Sequence, residues 1–312
     1  MNALRPPRPQ SPAITGPAGR IEALLEEPEG QRPACFGVVC HPHPLHGGTL
    51  HNKVVHTLAR ALHDFSVPTV RFNYRGVGAS EGHYADGIGE TDDAVAVIEW
   101  GRQRWPGAVP WLLGFSFGGA VAIRAAIRAG AGLLVTVAPA IGRMAMDDEP
   151  AAEGDSARVT AAPWSGPAAA PRSGPAAAPW SAPAAAPRSG PAAAPRSGPA
   201  AAPRSGPAAA PWSGPAAAPW SGPACPWLVI QGDADDVIDA RSVLEWASRQ
   251  AEERAAASLP PLVVRVLRGA GHFFHGRLPS LREAVASFIR ESGSSLEEGG
   301  SEVKESGAQP VG

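Results

Sequence analysis

A chain of 312 residues, 44% of them hydrophobic, is long enough to bury a substantial core, and a formal charge of -2 gives no global reason to expect a nucleic-acid partner. Cys35, Cys40 and Cys225 are an odd number without CxxC spacing, so neither a disulfide framework nor a zinc knuckle is suggested. No apolar run reaches the ~18 residues of a membrane span, and Met1–Gly19 has no apolar leader core, so the sequence reads as soluble and cytoplasmic.

In chain order, residues 1–19 carry Pro6, Pro7, Pro9, Pro12 and Pro17, which predicts an extended, poorly ordered arm. Arg20–Glu27 reads as a first, edge strand. Ala34–Cys40 is a continuous apolar run stopped by His41-Pro42-His43-Pro44, the pattern of a strand buried on both faces. His51–Phe65 sets Val54, Val55, Leu58, Leu62 and Phe65 at helical spacing. Val67–Asn73 returns as a strand, Tyr74–Ser80 as a turn and Glu90–Trp105 as a helix. Pro110–Gly119 is a strand entering a sharp turn, with a helix reaching about Ala129. Gly132–Ala138, Pro226–Gln231 and Leu262–Leu267 are further buried strands, with helices at Ala240–Arg254 and Pro279–Glu291. This alternation predicts an α/β fold, a mostly parallel, doubly wound sheet covered by helices on both faces, with ligands at the carboxyl ends of its strands.

Pro163–Pro223 differs in kind. It repeats an eight-residue unit, Pro-(Trp or Arg)-Ser-Gly-Pro-Ala-Ala-Ala, so proline falls at every fourth position. Each proline removes an amide donor and clashes with the preceding turn, so no helix persists through this spacing. Residues 151–223 therefore read as a low-complexity insertion without a core, inside a single domain built from 20–150 and 224–291. Both ends of the insertion are expected at one edge of that core. The Gly/Ser/Glu-rich tail at 292–312 also reads as disordered.

The chemistry centres on Gly114-Phe115-Ser116-Phe117-Gly118, which lies between a predicted strand and a predicted helix. A serine in that turn takes a strained backbone that pushes its hydroxyl out of the sheet. The hydroxyl needs a base, and the base needs an orienting acid. His272 follows the last strand, and Asp233, Asp235 and Asp236 follow the strand before it, in the chain order serine, acid, histidine. Asp239 reads as a helix cap, and His275 as a surface or packing residue. The amide of Phe117, directly after the nucleophile, is expected to be an oxyanion donor. The aspartate cluster lacks the glycine and glutamate of a calcium loop. His41, His43, His46 and His51 sit in a proline-fixed loop without accompanying carboxylates or cysteines, so no metal is expected. Gly76-x-Gly78 lacks the third glycine and helix of a nucleotide site and reads as a turn lining the acyl pocket.

With these motifs the chain resembles the α/β-hydrolase superfamily, in particular its small, lidless bacterial branch near the dienelactone-hydrolase-like and serine-aminopeptidase-like members. The matching stretches are Cys40–Gly48, Arg71–Gly82, the Gly114–Gly118 elbow, Trp227–Asp236 and Gly269–Phe274. The resemblance implies an α/β-hydrolase fold and an ester- or related acyl-hydrolase without a cofactor. It implies Ser116 as nucleophile, His272 as general base and, because Gly232-x-x-Asp235 matches the family's turn, Asp235 as acid. It further implies a second oxyanion amide from the loop after Cys40. Pro42 and Pro44 have no amide hydrogen, so His43 is expected to supply it. The expected partner is a small-molecule acyl substrate. The alternative is a non-catalytic interaction protein that binds through its proline-rich repeat.

Overall fold

Side chains along the apolar runs alternate between two faces, and each face collects its own helices. The computed structural model describes residues 8–29, 32–143 and 222–298. Strands β4 (Cys35–Cys40), β5 (Thr69–Phe72), β6 (Val109–Phe115), β7 (Leu133–Val137), β8 (Trp227–Gly232) and β9 (Leu262–Leu267) pair in parallel. An antiparallel edge strand, β3 (Ala23–Glu26), joins β5, and the order across the sheet is β3-β5-β4-β6-β7-β8-β9. Val38, Leu112, Leu134 and Val229 enter a core shared with α2 (Ile88–Arg104), α3 (Phe117–Ala129) and α4 (Ala240–Ala256). Their chain neighbours Val39, Leu113, Val135 and Ile230 enter a second core with α1 (Lys53–His63) and α5 (Leu278–Glu298). The period of two thus divides one apolar run between two helical layers, as expected of strands covered on both faces. Each fully buried Leu or Val contributes about 1.5–3 kcal/mol of transfer free energy.

Helix ends follow local chemistry. The Asn52 side chain accepts hydrogen bonds from the Val54 and Val55 amides at the start of α1, and Asp239 accepts one from Ser242 at the start of α4. Glu90 accepts bonds from the Ala85 and Gly87 amides, fixing the entry to α2 from a fully buried position.

Three boundaries differ from the sequence reading. In the arm expected over 1–19, Ile14–Gly16 forms β1, which pairs antiparallel with β2 (Gly19–Ile21). Pro17 lies in the turn of this hairpin, and Ile14 and Ile21 are buried in the core shared with α2, so apolar anchoring overrides the proline-rich composition. The single strand expected over Arg20–Glu27 is consequently two strands, β2 and β3, in different sheets. At the other end, α5 continues past Glu291 to Glu298, into the segment read as tail, because glycine and serine only weaken a helix that proline would stop. The parallel pairing of β7 and β8 also corrects the expectation that residues 138 and 226 lie at one edge. The chain leaves the sheet at its carboxyl end and re-enters at its amino end. The repeat lies outside the described residues, apart from Gly222 and Pro223.

Candidate active site

One residue separates β6 from α3. Ser116 has φ 56° and ψ -120°, a conformation that costs an L-residue about 1–3 kcal/mol and must be held by its surroundings. Its amide donates to the Val137 carbonyl at 2.9 Å, and its carbonyl accepts the Gly119 amide at 2.8 Å and the Ala140 amide at 3.2 Å. The flanking glycines are required by close approach. A Cβ on Gly114 would collide with the Gly118 carbonyl, and one on Gly118 with the carbonyls of Cys40 and His41. The start of α3 therefore lies directly on the end of β4, which brings the loop after β4 beside the serine.

The loops after β8 and β9 converge on the same point. Ser116 Oγ is 3.1 Å from His272 Nε2, and His272 Nδ1 is 3.0 Å from Asp235 Oδ2. Since the carboxylate can only accept, Nδ1 carries the proton and Nε2 presents its lone pair to the hydroxyl. The side chains of His272 and Asp235 are 3% and 0% exposed, so the pair sits away from bulk water. Burial by itself raises the Asp235 pKa. The hydrogen bonds from His272 and from the Ile238 and Val237 amides outweigh it and hold the carboxyl below its ordinary value. Gln231 Nε2 donates to the same Oδ2 at 3.0 Å. Of the three aspartates in the sequence reading, only Asp235 bonds to His272. Asp233 accepts the Gly269 amide at 2.6 Å and ties the two loops together, and Asp236 is exposed. The rings of Phe115 and Phe273 lie 5.0 Å and 5.1 Å from that of His272 and limit its motion. His275 is exposed in the same loop.

Opposite the histidine, the loop after β4 is fixed by His41. The Tyr74 amide donates to its Nε2 at 3.2 Å, so its Nδ1 carries the proton and donates to the Pro42 carbonyl at 2.7 Å. Burial lowers the His41 pKa to about 4, so the ring is neutral and structural at neutral pH. The ring of His43 packs 4.8 Å from that of Phe117, so the two residues expected to supply oxyanion amides are neighbours. His43 Nδ1 accepts the Leu45 amide at 3.2 Å, and its Nε2 faces the Tyr84 hydroxyl at 3.3 Å. In the segment after β5, Tyr74 packs 5.8 Å from Phe117 and the Ala79 amide donates to Glu22. Among the described residues, no group of three or more His, Cys, Asp or Glu side chains could hold a metal ion.

Sequence reasoning missed Gln231 and His41. A signal for Gln231 exists: it is a polar residue closing an otherwise apolar strand, immediately before the aspartate loop. His41 carries none, because its partner Tyr74 is 33 residues away.

Comparison with known proteins agrees with this architecture. The profile of the alpha/beta hydrolase family matches residues 38–287, and the chain belongs to that family. Its fold is similar to that of an alpha-beta serine hydrolase homologue from Coxiella burnetii, with 30% identity over 89% of this chain and 96% of that one and a TM-score of 0.61. It is also similar to a lidless a/b serine hydrolase from Xanthomonas campestris, with 29% identity over 93% and 97% of the two chains and a TM-score of 0.60. An uncharacterized protein of Rickettsia prowazekii is 41% identical over 116 residues, which are 37% of this chain. The match spans about half, 48%, of that relative's length. No helix among the described residues is long and apolar enough to cross a membrane.

Proposed function

We propose that the protein is a serine hydrolase that cleaves a carboxylic ester or a related acyl bond through an acyl-enzyme on Ser116. The observation that carries this reading is the unbroken hydrogen-bonded line Ser116 Oγ to His272 to Asp235, at 3.1 and 3.0 Å, at the carboxyl ends of three strands of a hydrolase-family sheet.

In this mechanism His272 Nε2 takes the Ser116 proton as Oγ attacks the acyl carbon, and the carbonyl π electrons move onto oxygen. The amides of Phe117 and His43 donate to that oxyanion, each contributing on the order of 100-fold or more in rate. The tetrahedral species collapses, the bond to the leaving oxygen breaks, and the imidazolium returns its proton to that oxygen. Water then repeats the sequence on the acyl-enzyme and releases the acid. Asp235 keeps Nδ1 protonated and stabilises the imidazolium, a role its low pKa suits because it remains ionised throughout.

Hydrolysis of p-nitrophenyl acetate by the purified chain tests the reading. The Ser116→Ala protein, folded as judged by an unchanged Tm, is expected to lose about 10⁴-fold or more in kcat. An unaffected rate would remove Ser116 from the mechanism.

A further inference from the structure

Beside the His272 loop lies a cavity of about 300 Å³ that the proposed reaction leaves unused. Its polar lining includes His51, Lys53 and His275, it contains no carboxylate, and Phe273 forms one wall. The Phe273 ring also stands 5.1 Å from the His272 ring, so one side chain borders both the cavity and the proposed general base. We infer that this cavity is the specificity pocket of the hydrolase, and that it takes an anionic group, a carboxylate or a phosphate, carried by the ester a short chain away from the scissile carbonyl. The inference rests on the serine-hydrolase reading of the same site.

Lys53 is the first observation behind it. It opens α1, a helix with no acidic residue in its first turn. A cation there faces the positive pole of the helix dipole, a local cost that aspartate or glutamate would turn into a gain. Among the described residues Lys53 forms no ion pair that would explain the choice, and neither His51 nor His275 forms one. The Glu22 carboxylate is held below its ordinary value first by the Ala79 amide, with His51 a smaller cause. It already accepts the Asn73 side chain and the Ala79 amide, each at 2.7 Å. The Asn52 side chain occupies the Val54 and Val55 amides, so side chains rather than the helix end would grip the anion. A Lys ammonium and two imidazoles around an apolar ring suit an anion on a hydrocarbon spacer, with the spacer lying against Phe273.

Two matched pairs test this with the full chain: monomethyl glutarate against dimethyl glutarate, and 1-butyrylglycerol 3-phosphate against 1-butyrylglycerol. In at least one pair the anionic ester is expected to have a kcat/KM about fivefold higher, through KM, with the preference shrinking as salt rises. Which pair responds separates carboxylate from phosphate. Lys53→Glu should abolish or invert the preference and Lys53→Arg should keep it. Because glutamate suits the first turn of α1, the Lys53→Glu protein should be no less stable, and Tm checks that. Equal kcat/KM within both pairs, or a preference that survives Lys53→Glu, would overturn the inference while leaving the hydrolase reading intact. Calorimetric titration of the Ser116→Ala protein with the same four esters reads the pocket without turnover. There, binding of neither anionic ester more tightly than its neutral partner rejects the pocket even if no ester is cleaved.

Discussion

Two histidines in this protein each stand near a carboxylate, and only one of the pairs belongs to the proposed catalytic line. His272 engages Asp235 at 3.0 Å and Ser116 at 3.1 Å, so both ring nitrogens have partners. His63 lies 4.0 Å from Glu26, and neither of its ring nitrogens has a hydrogen-bond partner among the described residues. The difference lies in what else holds the carboxylate. Glu26 receives two bonds from the Arg71 guanidinium, at 3.1 and 2.9 Å, and its charge is neutralised there. Asp235 receives bonds only from neutral donors, the Gln231 amide and the backbone of Val237 and Ile238, besides His272. Its charge is therefore available to an imidazolium that forms during a reaction. A histidine near an acid is thus not enough; the acid must be free of a permanent cation.

That comparison can be broken at either end. The largest effect is expected from Asp235→Asn, which keeps the shape but lets Nδ1 of His272 lose its proton to the wrong tautomer. Its kcat on p-nitrophenyl acetate should fall by about 10³–10⁴-fold with little change in Tm. Glu26→Gln should do the reverse. It leaves the 4% exposed Arg71 charge unpaired in the core and should cost about 3 kcal/mol in urea denaturation, with kcat of the folded protein unchanged. A large kcat loss in Glu26→Gln would mean that the two clusters are coupled.

A smaller effect distinguishes a third histidine, His41. Its folded pKa of about 4 lies below its ordinary value of 6.5, so between those values the unfolded chain binds the extra proton. The stability is fully present above pH 6.5 and is lost as pH falls toward 4. Burial lowers the pKa values of His56 and His63 too, so the wild-type slope in this window has their contributions in the same direction. His41→Asn should lose about 2 kcal/mol less stability than wild type between pH 7 and 4.5, read from urea midpoints. Parallel curves would show that His41 is not held neutral by the fold.

Much of the sheet was legible because its strands are apolar runs bounded by proline or glycine. Leu262–Leu267 has the same bounds in sequence and structure. The β1–β2 hairpin was not legible, since only its packing on α2 makes strands of a segment rich in proline. At the site, Ser116 and His272 stood out because a strained elbow and a glycine-flanked histidine each need a particular local sequence. Three aspartates within four residues offered no periodicity to separate them; only the resemblance of Gly232-x-x-Asp235 to the family's turn singles out Asp235, and it is the carboxylate that lies 3.0 Å from His272 Nδ1. His41 depends on Tyr74, a partner that only folding brings near, whereas Gln231 is marked in the sequence as a polar residue near the end of an apolar strand.

The most direct measurement is labelling of the full chain with a fluorophosphonate, followed by mass mapping of the modified residue. A single adduct on Ser116, reduced about 10³-fold in rate by Asp235→Asn and absent in Ser116→Ala, is the predicted result. No adduct on folded protein, or an adduct that persists in Ser116→Ala, would contradict the assignment of this site.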